Sequence, residues 1–124
     1  MTTISQDLID QCRDKLIQTK SDILNRVQEA RRNLATEEKG GDEGDQTVRA
    51  LAESEFLRMN ERLRKQLVEI EMALHRIDQG TYGICEETEE NIETDRLLAI
   101  PWTRLSIEGA EIRESMDKRY ASTR

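Results

Sequence analysis

Glycine and proline are distributed so unevenly along this chain that long helices are the main structures it can build. The six glycines fall into two clusters and one isolated position, and the only proline is Pro101. They leave two uninterrupted stretches, residues 1–39 and 45–79. Glycine and proline are the residues that most readily end a helix, so neither stretch contains a helix breaker.

Both stretches repeat apolar residues every seven positions, which is the pattern of a coiled-coil seam. The first repeat comprises Ile9, Leu16, Ile23 and Ala30, with Val27 and Leu34 four residues after the last two. The second comprises Phe56, Leu63, Ile70 and Ile77, with Leu67 and Leu74 four residues after the middle two. Two helices of about 30 residues, each roughly 45 Å long, would fold back at a short loop as an antiparallel hairpin.

Composition and charge limit the classes of partner. Hydrophobic residues make up 35% of the chain and charged residues 36%, so a compact core for the whole chain is hard to build. The net charge of -7 disfavours a domain that grips nucleic acid, which needs a basic face, so we expect a protein partner and no direct DNA binding. The sequence shows neither a membrane span nor a signal peptide, so a cytoplasmic protein without membrane contact is expected.

The turn between the helices, "TEEKGGDEGDQT" at residues 36–47, contains five acids and one lysine. Asp45 is a candidate N-cap for the second helix. As a pair, Asp42 and Asp45 could repel one another, weakly chelate a hard cation, or meet a basic or metal-bearing pocket of a partner. Composition alone does not choose among these alternatives.

The segment after the hairpin predicts a small end module and a last helix. Six acids and no base lie between Glu86 and Asp95, which is typical of a solvated face. Ser106 is a candidate N-cap for a helix reaching about Tyr120. A miniature core is expected from Tyr82, Ile84, Ile92, Leu97, Leu98, Ile100 and Trp102. The prediction is therefore an all-α fold with a coiled-coil hairpin (1–79), an end module (80–105), and a C-terminal helix and tail (106–124).

The two cysteines, Cys12 and Cys85, are far apart in sequence and are expected to be reduced thiols. Cys12 is expected to be a small buried residue on a helix face. Cys85 is either a thiol sensor or an ordinary small residue. Acids surround it and no cation is near to lower its pKa, which favours the second interpretation.

Two segments, "ALHRIDQGTYGIC" and "NIETDRLLAIPW", resemble the DksA/TraR family of bacterial transcription regulators. The family pattern matches without insertion at Leu74, Arg76, Ile77, Gly80, Thr81, Tyr82, Gly83, Cys85, Ile92, Arg96, Leu97, Ala99 and Pro101. The resemblance implies a coiled-coil hairpin, then a zinc finger, then a C-terminal helix. This is the order already predicted from glycine placement and periodicity.

The resemblance also implies a function. DksA-like proteins bind RNA polymerase and push the acidic hairpin tip through the secondary channel, where it modulates transcription initiation. The family spacing from Cys85 places the tip acids at Asp42 and Asp45, while Thr47 stands where the DksA branch has alanine. The chain would then be a monomeric regulator and not an enzyme.

The sequence departs from the family at the zinc ligands. The four ligand positions hold Cys85, Thr88, Ser106 and Gly109, and one thiol with two hydroxyls cannot supply the donors of a structural zinc site. The only histidine, His75, is expected to be a polar face residue. We therefore predict a zinc-finger-like module without zinc, in which Thr88 and Ser106 lie near each other.

The positions where the family would bind guanosine tetraphosphate also differ. Glu69, Ile100 and Ala110 stand at or beside positions where basic contacts are expected, and an acid does not attract an anionic ligand. The sequence therefore argues against a response to this nucleotide at that site.

Two other functions stay open. A hairpin with an acidic tip could stimulate transcript cleavage as the Gre factors do, although the finger-like motif favours the DksA type. The chain could also be an interaction protein that binds polymerase without acting, or that dimerises through its hairpin.

Overall fold

The structure, a computed structural model, describes residues 4–37 and 43–122. These ranges form four α-helices: α1 Gln6–Glu37, α2 Glu43–Gln79, α3 Thr94–Ala99 and α4 Ile107–Ser122. Within them the only β-type pairing is one isolated antiparallel bridge, between Ile84 and Asn91. The predicted all-α fold, with two long hairpin helices and a C-terminal helix, is confirmed.

The predicted seam is the interior of the hairpin. None of its twelve residues is exposed, and Leu16 and Ile70 are fully buried. Cys12 is also fully buried, as expected of a small apolar residue on a helix face. The seven-residue repeat therefore identified correctly the faces on which α1 and α2 meet.

A side-chain cap stands at the start of α1. Ser5 caps α1, because its Oγ accepts a hydrogen bond from the N–H of Leu8 at 3.2 Å. The suggested N-cap role of Asp45 is wrong, because α2 already begins at Glu43 and Asp45 is the third residue of the helix.

The chain divides into two compact units. One, which we call the finger unit, comprises Met1–Ile17 and Glu69–Arg124; the other, the hairpin unit, comprises Gln18–Val68. The first turns of α1 and the last turns of α2 thus pack with the finger-like segment.

The end module has a small core that agrees only partly with the prediction. Tyr82, Ile92 and Leu97 are buried, whereas Ile84 is 43% exposed. The prediction for Ile84 is wrong because the side chain of the next residue, Cys85, faces the interior, so that of Ile84 points outward. The short helix α3, which presents Leu97 to this core, was not anticipated.

Within the described ranges we find no helix that is both long enough and apolar enough to cross a membrane.

Candidate functional site

The chain enters the finger-like module through a tight glycine turn. Gly83 has φ +85°, a left-handed conformation that residues with a side chain rarely adopt. A Cβ atom at this position would also collide with the side chain of Ile4 and lie 3.5 Å from Leu97 Cδ1. Gly83 thus lets Ile4, which precedes α1, and Leu97 of α3 approach the turn that leads to Cys85.

The four positions of the family's zinc ligands converge on the sulfur of Cys85. The Ser106 hydroxyl donates a hydrogen bond to Cys85 Sγ at 3.4 Å, and the backbone N–H of Thr88 donates another at 3.5 Å. The Gly109 N–H in turn donates to Ser106 Oγ at 3.0 Å. Ser106 therefore caps α4, as predicted, and binds the thiol with the same hydroxyl.

Gly109 leaves the space that this sulfur fills. A Cβ atom at position 109 would collide with Cys85 Sγ and would lie 3.3 Å from Ser106 Oγ. Cys85 itself is fully buried. The sulfur is thus packed against the first turn of α4.

The hydrogen bonds change the acidity of Cys85. Burial raises the pKa of the thiol, but the hydrogen bonds from Ser106 and Thr88 outweigh burial and lower the pKa to about 6. The sequence offered no cation to acidify this thiol, and no cation is responsible for the lowered pKa. Neutral hydrogen-bond donors here have the effect that was expected only of a cation.

This donor set does not fit a structural zinc ion. Such sites are closed by four thiolate or imidazole donors in a tetrahedron, whereas here one thiol faces a hydroxyl already used as a helix cap, a backbone N–H, and a residue with no side chain. Among the described residues, no three or more His, Cys, Asp or Glu side chains are grouped to hold a metal. His75 lies exposed on α2, as a polar face residue should.

Polar side chains brace the module internally, and one attaches it to α1, by donating to backbone carbonyls. The Lys15 ammonium donates to the Leu98 carbonyl at 2.8 Å, and the Arg96 guanidinium donates to the Leu105 carbonyl, also at 2.8 Å. The buried Tyr82 hydroxyl donates to the carbonyl of Pro101 at 2.8 Å. Burial raises the pKa of Tyr82, so it remains a donor at physiological pH.

Charged side chains add a second set of contacts around the same module. Arg104 lies 3.3 Å from the carboxylate of Glu69 and 3.6 Å from that of Glu86. Arg113 lies 3.6 Å from Glu86 and 3.0 Å from Glu87. The hydrogen bond from Arg113 to Glu87 raises the pKa of this guanidinium.

The predicted tip residues fall largely outside the described part of the chain. Asp42 lies outside the described residues. Asp45 lies on α2, but its side chain is outside the described set, and Thr47 is exposed two residues further along α2. Their role stays a prediction.

Comparison with known proteins gives the family. Residues 80–115 match the sequence profile of the prokaryotic dksA/traR C4-type zinc finger. The RNA polymerase-binding transcription factor DksA of Caulobacter vibrioides is 35% identical over 107 residues, which cover 86% of this chain and 75% of that protein. The chain belongs to the DksA/TraR family. An uncharacterized protein from Aquifex aeolicus is also 35% identical to this DksA/TraR member, over 87% of this chain and 77% of its own length.

The fold comparison agrees with this assignment. The structure of transcription factor DksA2 from Pseudomonas aeruginosa superposes with a TM-score of 0.84 at 33% identity, covering 92% of this chain and 88% of that one. The coiled-coil hairpin, finger-like module and C-terminal helix of this DksA/TraR member are therefore the family architecture.

Sequence reasoning missed two features of this site. The Thr88 donor is a backbone N–H, which no side-chain pattern reveals. The ion pairs join residues far apart in sequence, such as Glu69 and Arg104, so the acidic stretch looked merely solvated. The sequence did contain part of the evidence for these ion pairs, because Arg104 and Arg113 flank the two former ligand positions at 106 and 109.

Proposed function

We propose that this protein binds RNA polymerase and modulates transcription initiation by inserting its acidic tip, with Asp42, Asp45 and Thr47, into the secondary channel. It would act in the cytoplasm as a monomeric regulator, without binding DNA and without catalysis of its own. The observation that carries this proposal is the similarity, over most of both chains, to a relative named as an RNA polymerase-binding transcription factor.

The dimensions and charge of the chain support the proposal. Helices α1 and α2 contain 32 and 37 residues, which correspond to roughly 48 Å and 55 Å of helix at about 1.5 Å per residue. Such lengths suit a hairpin that reaches into a channel. The net charge of -7 disfavours competition for the phosphates of the template.

We further propose that the finger-like module contains no zinc and that the protein does not respond to guanosine tetraphosphate at the family site. The first point rests on the donor set around Cys85. The second is supported by Glu69, whose carboxylate is engaged with Arg104 at 3.3 Å and would repel an anionic ligand.

The test of the tip uses purified polymerase and a ribosomal-type promoter. Wild-type protein and the double variant Asp42→Asn with Asp45→Asn should both bind polymerase, but only the wild type should alter initiation. Glu43→Gln, which removes a charge from the same acidic segment, serves as the matched control and should behave as wild type. Equal activity of the double variant and the wild type would remove the tip from the mechanism.

A backtracked elongation complex separates regulation from transcript cleavage. The proposal predicts that adding the protein leaves the transcript length unchanged. Transcript shortening would instead support a Gre-like role for the tip acids.

A further inference from the structure

We propose that an ionic clasp, formed by Glu69, Arg104, Glu86, Arg113 and Glu87, takes over the task of joining the two halves of the finger-like module. In family members with a complete zinc finger, the metal would join the segments that correspond to residues 85–88 and 106–109 of this chain. In this chain, alternating charges span the same gap. The module should accordingly be sensitive to ionic strength and insensitive to chelators.

The clasp connects the same two segments that a metal would connect. Glu86 and Glu87 lie between the first pair of former ligand positions. Arg104 lies two residues before the second pair, and Arg113 lies one helical turn beyond it on α4. A backbone hydrogen bond from the Glu86 N–H to the Arg104 carbonyl, at 3.0 Å, holds the segments in register beneath the charges.

Glu86 is the centre of the clasp. Its Oε2 atom lies 3.6 Å from Arg104 Nη1 and 3.6 Å from Arg113 Nη2. Each arginine then pairs with an outer acid, since Arg104 Nε lies 3.3 Å from Glu69 and Arg113 Nε lies 3.0 Å from Glu87. Each arginine of the clasp therefore lies between two carboxylates, and each of these four contacts joins opposite charges.

The clasp also reaches α2. Glu69 belongs to that helix, so its pair with Arg104 links the module to the helix on which it packs. Arg76, about two turns further along α2, donates a weaker hydrogen bond of 3.4 Å to the Trp102 carbonyl. Burial lowers the pKa of Arg76, and the charges of Glu86 and Glu69 oppose this effect.

The exposure of these side chains sets the size of the effect. They are 25–38% exposed, so each pair alone would contribute little to stability. Several coupled pairs in one network are the arrangement in which surface charges contribute measurably. Salt weakens such pairs, because the screening length falls from about 10 Å at 0.1 M to about 3 Å at 1 M.

Trp102, the only tryptophan, lies inside the module and reports its opening by fluorescence. We expect Glu86→Gln to lower the thermal midpoint of Trp102 fluorescence by several degrees at about 0.05 M NaCl, where screening is weak. Raising NaCl to about 1 M should lower the wild-type midpoint toward that of the variant. EDTA should change neither midpoint.

Glu90→Gln is the matched control, because it removes one charge from an exposed acid in the same stretch. It should keep the wild-type midpoint and its salt dependence. A cycle of Glu86→Gln and Arg113→Gln should show that the two losses are less than additive. If Glu86→Gln keeps the wild-type salt dependence, as the control Glu90→Gln should, the clasp is refuted. A midpoint that falls with EDTA would also refute it. Neither result depends on whether the protein binds polymerase.

Discussion

The finger unit and the hairpin unit are built in different ways. Eight of the ten buried apolar residues of the described chain lie in the finger unit, and only Ile23 and Leu63 lie in the hairpin unit. The two units also differ in net charge, because the finger unit contains sixteen acids and nine bases, whereas the hairpin unit contains ten of each. The whole net charge of -7 therefore belongs to the finger unit.

Stability depends on different contacts in the two units. The hairpin unit depends on a two-helix seam, which buries few side chains completely. The finger unit has a larger core and, around Cys85, close packing of the sulfur against α4. Substitutions of buried residues in the finger unit should accordingly lower stability strongly, whereas substitutions on most of the surface of the hairpin unit should change it little.

The largest expected effect compares one leucine from each unit. Leu97→Ala removes a fully buried side chain and should cost about 2–5 kcal/mol, which lowers the Trp102 fluorescence midpoint by roughly 10 °C or more. Leu57→Ala removes a side chain that is 64% exposed and should change stability by no more than about 0.5 kcal/mol. Similar costs in thermal melts followed by circular dichroism would contradict the difference between the units.

The next effect tests the packing of the sulfur against α4. Gly109→Ala places a Cβ atom against Cys85 Sγ and should cost about 1–3 kcal/mol. In a Cys85→Ala background the nearest obstacle is gone, and the same change should cost less, because alanine also favours helix over glycine. Equal effects of Gly109→Ala on the thermal midpoint in both backgrounds would show that the sulfur does not fill this space.

The pH dependence of the finger unit is the third prediction. Cys85 loses its proton near pH 6 in the folded protein, but only near about 8.5 in an unfolded chain. Between these values the folded state holds fewer protons, so stability should rise with pH. The stability gained from the lowered pKa of Cys85 should be complete above about pH 8.5 and disappear as the pH falls through 6. The Trp102 midpoint of Cys85→Ala should lack this rise, and an unchanged slope would contradict the lowered pKa.

The smallest effect concerns backbone strain. Glu89 has φ 60°, a left-handed conformation that costs a side-chain-bearing residue about 1–2 kcal/mol. Glu89→Gly should therefore raise the thermal midpoint. The rise should be slight, because the greater flexibility of glycine in the unfolded chain offsets part of the strain that is relieved. Glu90→Gly, beside it, should lower the midpoint. The same sign for both variants would contradict the assignment of strain to position 89.

Periodicity and residue type supported the sequence predictions that the structure bears out. The seven-residue repeat identified the seam, and the Ser106 cap was predicted from residue type alone. Ile84 was misplaced because alternation in a short irregular segment depends on which neighbours face inward. The acidity of Cys85 depends on the Ser106 hydroxyl, which is distant in sequence, and on the Thr88 backbone N–H. The clasp depends on folding that brings α2 to Arg104, so neither feature had a local pattern to reveal it.

The most direct test of the account is a polymerase-binding competition assay with chelator-treated protein. Protein prepared without zinc should bind RNA polymerase, and a known secondary-channel factor should displace it. The Asp42→Asn with Asp45→Asn variant should bind equally well, because it keeps the hairpin. Failure of the metal-free protein to bind, or binding that the competitor leaves unchanged, would contradict the central claim.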